Sequence, residues 1–320
     1  MEKICFGVDI GGTTVKIGIL STDGQILEDW EIKTRTEDNG SHILDDIADS
    51  VKKAMADRGY TKDDVVGVGM GVPGPVKDDG TVLMCVNLGW GVFNVAQALS
   101  EKLDGMPVKA GNDANVAALG EQWQGGGKGH QDMVMVTLGT GVGGGIVLGG
   151  KILAGTCGAA GEIGHMNIVD EKDIIGVCGC GNRGCLEQVA SATGVVKLAN
   201  RLVAETECPT VLRDLDEITA KAVLDAAKAG DAAAAEVVDT MTSYLGKALA
   251  MIAVVVNPEI FVIGGGVSKA GQYLIDKIQE HYKEKAFHAV KDAEFSLATL
   301  GNHAGMVGAA KLVLNYSERI

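Results

Sequence analysis

The chain has 320 residues, 46% hydrophobic and 22% charged, the balance of a folded protein of about two domains and not of a disordered or rod-like one. Its 28 Lys and Arg against 42 Asp and Glu leave a net charge of −14, which repels phosphate backbones and argues against nucleic-acid binding. A nucleotide site stays open, because backbone N–H groups and a bound cation can hold phosphates.

No run of about 18 apolar residues appears, so no membrane span is expected. The opening MEKICFGVDIGG enters a strand pattern without a signal-peptide layout, and a cytoplasmic protein is expected. Seven cysteines cannot all pair internally. Cys5, Cys85, Cys157 and Cys208 are scattered and read as small buried hydrophobes, whereas Cys178, Cys180 and Cys185 are clustered.

In chain order, residues 4–10 and 15–20 read as strands around a Gly-Gly-Thr-Thr turn, with STDG at 21–24 as the next turn. Ile43, Ile47 and Val51 recur at helical spacing within a helix over 41–57. Residues 65–76 are a strand running into a Gly/Pro loop. Residues 94–104 read as a helix, 107–113 as a strand ending at a carboxylate, and 114–123 as a helix. A buried strand at 133–138 precedes GTGVGGG, and 146–153 is a second hairpin. Helices follow at 191–205, 217–228 and 231–256. A strand begins at 259, ends in a glycine loop and leads to a helix, and the last helix spans 302–316. This is an α/β chain without a low-complexity linker, divided near 111/112: a small domain 1–111 to which 302–320 returns, and a larger one over 112–301. Residues 8–20 and 136–148 repeat a strand, Gly-Thr turn, strand pattern, which suggests two similar halves that each offer turn N–H groups to one polyphosphate.

Six features carry chemistry. Asp9, Gly11, Gly12 and Thr13 form a turn that exposes N–H groups and a hydroxyl to an anion beside a carboxylate able to position hydrated Mg²⁺, or else an ordinary hairpin turn. Leu138 to Gly144 contains G-x-G-x-x-G, but the loop opens into a strand and not a helix, so Thr140 and Gly141 read as a hairpin phosphate loop and not a Rossmann site. Gly265 and Gly266 follow an apolar strand and allow close approach of a base or ribose, or simply make a tight turn. Cys178, Cys180 and Cys185 with His165 make a Cys₃His set for structural zinc; a redox cluster or buried thiols are the alternatives. Asn112-Asp113 opens a helix, as a cap or as a base for a substrate hydroxyl. Glu162, His165 and Glu187 are acceptors suited to a polyhydroxyl ligand, or solvated side chains.

On GEIGH at 161–165, CGCGNRGCLE at 178–187 and NDAN at 112–115, the sequence resembles the ROK family, and within it the glucokinases of Gram-positive type. The resemblance covers nearly the whole chain. It implies a two-domain actin/hexokinase-like (ribonuclease H-like) fold with an interdomain cleft that closes on sugar, and ATP-dependent phosphorylation of glucose at its 6-hydroxyl. It implies Asp113 as general base and Gly74, Asn87, Asn112, Glu162, His165 and Glu187 as sugar-binding residues. Asp9, Gly11, Gly12, Thr13, Thr140, Gly141, Gly265 and Gly266 would lie at ATP, with Mg²⁺ as its cation, and zinc would be held by His165, Cys178, Cys180 and Cys185. A homodimer or homotetramer is implied as well. Gly111 departs from the family, whose glucokinases often carry Glu there. Relatives acting on N-acetylmannosamine or another hexose stay open. A sugar-sensing repressor fits poorly, because only eight residues precede Asp9 and the charge is −14.

Overall fold

The computed structural model describes residues 3–317. In chain order its strands are β1 Ile4–Ile10, β2 Thr14–Ser21, β3 Ile26–Lys33, β4 Val65–Val72, β5 Val108–Asn112, β6 Met133–Leu138, β7 Val142–Leu148, β8 Lys151–Ile152, β9 Ile260–Gly264 and β10 Glu294–Leu297. The longer helices are α1 Ile43–Arg58, α2 Val95–Lys102, α3 Asp113–Gln124, α4 Ala192–Glu205, α5 Ala220–Lys228, α6 Ala232–Val256, α7 Gln272–Lys285 and α8 Ala304–Ser317. Short 3₁₀ turns and a two-residue ribbon, Thr81–Val82 with Phe93–Asn94, fill connections.

Contacts divide the chain into two compact units: residues up to 131 with 145–161 and from 300 onward, and residues 132–144 with 162–299. The division falls at Gln131/Asp132 and not at 111/112, because α3 packs on α8 and β4 and so belongs to the first unit. Helix α8 belongs to that unit too; residues 1–2 and 318–320 lie outside the described residues. The strand orders are β3-β2-β1-β4-β5 and β8-β7-β6-β9-β10. The two orders match, and in each the first two strands flank a three-residue turn, 11–13 or 139–141. The sequence repeat is therefore a repeat of topology.

In the first unit β1 pairs antiparallel with β2 and parallel with β4, and β4 pairs parallel with β5. Alternation along β1 sorts its side chains: Ile4, Phe6, Val8 and Ile10 join the core with α1, while Cys5 faces Met306, Ala310 and Val313 of α8. On the α8 side Gly7 and Gly69 carry no side chain, and a Cβ at either would overlap the carbonyl of Met306 or Ala309. Gly120 and Gly308 make the same close approach between α3 and α8.

Strands β3 and β10 are not among the expected elements. Along β3 the charged residues Glu28, Asp29 and Glu31 are exposed, and Ile26, Trp30 and Ile32, each half-buried, are its contribution to the core. An edge strand with so thin an apolar stripe gives little sequence signal. Cys5 and Cys85 are buried as expected, but Cys157 is exposed and Cys208 half-buried, since both lie in irregular segments outside the sheets.

In the second unit β6, β9 and β10 are parallel, with Ile260 of β9 opposite Met133 on one side and Glu294 on the other. Phe261, Tyr282 and Phe295 stack with centroids 5.1–5.6 Å apart and tie α7 to this sheet. Helix α6 is long and apolar enough to cross a membrane by length and composition, although its sequence holds no unbroken apolar run of about 18 residues. Of its apolar window 67% is buried inside the protein, as the unit's core helix.

The glycine seam yields a stability prediction. Gly69→Ala should cost roughly 3 kcal/mol, the upper range of overpacking, because the obstacle is backbone and not a movable side chain. Gly91→Ala, where a Cβ meets nothing within 4 Å, should leave stability unchanged; urea unfolding of both variants checks this.

Candidate functional site

The first unit gathers two carboxylates at strand ends. Asp113 begins α3, where β5 stops and Asn112 caps the helix by accepting the Asn115 N–H at 3.1 Å. The Asn112 amide also donates to Gly74 O at 3.1 Å and to Asp113 Oδ1 at 3.0 Å. Ala114 N–H donates to the same Oδ1 at 2.8 Å, so the Asp113 carboxylate is held in one orientation. Gly74 sits at φ +102°, a conformation suited to glycine, with Met84 O where a Cβ would be. The 3₁₀ turn Val86–Leu88 places exposed Asn87 after Cys85, whose thiol is pushed up by burial and, to a lesser extent, by the Asp113 charge.

Asp9, the next-to-last residue of β1, faces Lys16 across the hairpin, and Lys16 in turn pairs with Glu31 at 3.2 Å. Its carboxylate is packed between two glycines. A Cβ on Gly71 would come 3.3 Å from Asp9 Oδ1, and one on Gly305, in the first turn of α8, would overlap the carboxylate outright. Burial and then the Asp113 charge push Asp9 up to about 6, against a smaller downward pull from Lys16. The turn beyond it is pinned by Thr34, whose hydroxyl donates to Gly11 O at 2.7 Å and whose N–H donates to Thr13 O at 2.9 Å. Gly11, Gly12 and Thr13 are exposed.

The second unit gathers the other group of expected residues. Gly265 takes φ +84° and packs on the Leu138 backbone, so Gly265 and Gly266 lie beside the turn 139–141. Glu187 is central here. Its Oε2 abuts Gly141, where a Cβ would come within 2.8 Å, and its Oε1 accepts from Cys178 Sγ at 2.9 Å. A cavity of about 240 Å³ opens between Thr140, Gly141 and the start of α4, where Ser191, Thr193 and Lys197 line it with Glu187. Sequence reasoning missed Lys197; its place one turn after Thr193 on α4 is the signal that could have found it.

His165 closes a 3₁₀ turn that Glu162 precedes, its N–H donating to Glu162 O at 3.1 Å, and both side chains are exposed. His165, Cys178, Cys180 and Cys185 offer ligand atoms that all lie within 4.8 Å of one another. Cys178 Sγ is 3.5 Å from His165 Nδ1, and Cys180 Sγ is 3.6 Å from Cys185 Sγ. Thiolates at about 2.3 Å from a tetrahedral ion stand roughly 3.8 Å apart, so this donor set fits one metal ion. The Cys180 thiol is pulled down, chiefly by the Asn182 backbone N–H.

A model of the ROK family matches residues 5–316. The glucokinase of Halalkalibacterium halodurans is 47% identical over 312 residues, 96% of this chain and 94% of that one. Among solved structures, a ROK hexokinase from Thermus thermophilus gives a TM-score of 0.81 at 28% identity, covering 98% of this chain and 99% of that one. A ROK family glucokinase from Streptomyces griseus, in complex with glucose and AMPPNP, gives 0.71 at 36% identity, covering 97% and 98%. The chain belongs to the ROK family and has its actin-like, mixed α/β sugar-kinase fold.

The crowding at Asp9 gives a pH prediction. With a folded pKa near 6 against 3.8 unfolded, Asp9 keeps its proton longer in the native state, so its contribution falls as pH rises from about 4 to 6. Asp9→Asn should therefore stabilise the metal-free, nucleotide-free protein above pH 6, on the order of 2 kcal/mol, with the gain vanishing below pH 4. Thermal unfolding of both proteins from pH 4 to 8 checks it; a pH-independent difference would contradict the assignment.

Proposed function

We propose that this protein is an ATP-dependent kinase that phosphorylates glucose at the 6-hydroxyl. The observation that carries the reading is the Asn112-Asp113 pair, a carboxylate oriented by two hydrogen bonds at a strand-to-helix junction, in a chain 47% identical to a glucokinase. Asp113 is the general base: it accepts the proton of the hydroxyl as that oxygen attacks the γ-phosphorus. Asn112, Gly74 and Asn87 from the first unit, and Glu162, His165 and Glu187 from the second, hold the sugar hydroxyls. Asn112 thereby serves twice, since the amide that faces the sugar also sets the Asp113 carboxylate.

Gly11, Gly12 and Thr13 in one turn and Thr140 and Gly141 in the other offer N–H and hydroxyl donors to the phosphates. Gly265 and Gly266 receive the nucleoside. The crowded Asp9 carboxylate fits Mg²⁺ carried with the nucleotide: a cation would relieve its repulsion with Asp113 and displace its proton. Bound there, Mg²⁺ supplies charge neutralisation on the phosphoryl oxygens.

We assign the four-donor cluster to structural zinc, because three thiolates and an imidazole complete a tetrahedral shell and leave no position for water. Its part is to fix the loop from which His165 and Glu187 project.

Three experiments test these readings. An ADP-release assay with Mg-ATP should favour glucose over N-acetylglucosamine, N-acetylmannosamine, fructose, mannose and allose. Asp113→Ala should cut turnover by about two or more orders of magnitude while glucose still binds. Dominance of an acetamido sugar would overturn the substrate, and a near-normal Asp113→Ala rate the base. Cys180→Ser should lose zinc by elemental analysis and weaken glucose binding; retention of both would overturn the metal assignment.

A further inference from the structure

A cavity of about 180 Å³ lies in the first unit behind Asn112, lined by the edge strand β5, by β8 and by the end of α8. Its charged lining is Lys77, Lys109, Lys151 and Asp78. Three cations against one carboxylate stand out in a chain of net charge −14. Lys109 is held in place: its Nζ donates to Asp78 O at 3.1 Å and lies 4.2 Å from the centroid of the Tyr316 ring. Ile152, Leu312 and Tyr316 add apolar wall, and Gly111 contributes no side chain to fill the space.

The floor includes Asn115, which is only 3% exposed. Its Oδ1 is buried without a hydrogen-bond partner. An amide oxygen left in that state is costly, and a turn of the side chain would bring it to a ligand hydroxyl in the cavity. Asn115 is also bonded to the base-orienting residue, since its N–H donates to Asn112 Oδ1.

We propose that this cavity binds a small phosphate monoester with a hydroxylated body. The net charge of the lining, +2, matches the dianion of a phosphate monoester near neutral pH. The lysines take the phosphate, a hydroxyl of the body meets Asn115, and the apolar wall covers its carbons. Occupancy is felt at Asp113, because Asn115, Asn112 and Asp113 are joined by successive hydrogen bonds.

The test is calorimetric titration of the full chain with sn-glycerol 3-phosphate, in excess glucose and a non-hydrolysable ATP analogue so that the kinase site is filled. Submillimolar binding is expected, weakened at least tenfold in Lys77→Ala/Lys151→Ala, a double variant of exposed residues whose unfolding temperature should not change. Inorganic phosphate should bind at least tenfold more weakly than the ester. Absence of binding to the wild type, equal affinity in the double variant, or equal affinity for inorganic phosphate would each overturn the site. Saturating glycerol 3-phosphate should also change kcat or the KM for glucose in the wild type and not in the double variant; binding without any such change would overturn the coupling. The titration is read without turnover, so its failure and a failure of the kinase reading are told apart.

Discussion

Helix α8 rests on the first sheet backbone to backbone. Gly7 and Gly69 meet the carbonyls of Met306 and Ala309, and Gly120 and Gly308 let α3 approach the same helix. At these four glycines no side chain intervenes, so the positions of β1, β4, α3 and α8 are set by hard contacts that leave little freedom to shift. The site inherits that precision. Asp9, next to last in β1, lies against Gly305 of α8, and Asp113 begins α3. Two carboxylates are thereby brought together, and burial first, then the Asp113 charge, raises the Asp9 pKa.

The second unit solves a similar problem with other means. Its turn at 139–141 is buttressed by Gly265 on one side and by Glu187 on the other. Glu187 joins two functions, because one oxygen abuts the turn and the other takes a hydrogen bond from Cys178. The shared strand order of the two sheets explains why both units present a Gly-Thr turn after their first strand.

Asn112 ties together several parts of the first unit. It caps α3, orients Asp113, tethers the Gly74 loop and lines the lysine-rimmed cavity.

Much of this was legible in the sequence because it rests on local rules. Short apolar runs located β1, β4, β6 and β9, helical spacing located α1, Ala-rich composition located α6, and the clustered thiols with His165 pointed to one donor set. Asp113 could be read as a cap or as a base from its position where a strand meets a helix; the cap is its neighbour Asn112. What escaped depends on contacts between distant segments. The edge strand β3 carries too few inward apolar residues to be seen, and the division at Gln131 follows from α3 packing on α8. That Gly305 confines Asp9, that Lys197 borders the Thr140 cavity and that Asn115 is buried without a partner for Oδ1 were decided by tertiary structure alone. Sequence determines which chemistry each residue can offer; only packing decides which groups lose water, share charge or lack a hydrogen bond, because those depend on neighbours the chain brings from far away.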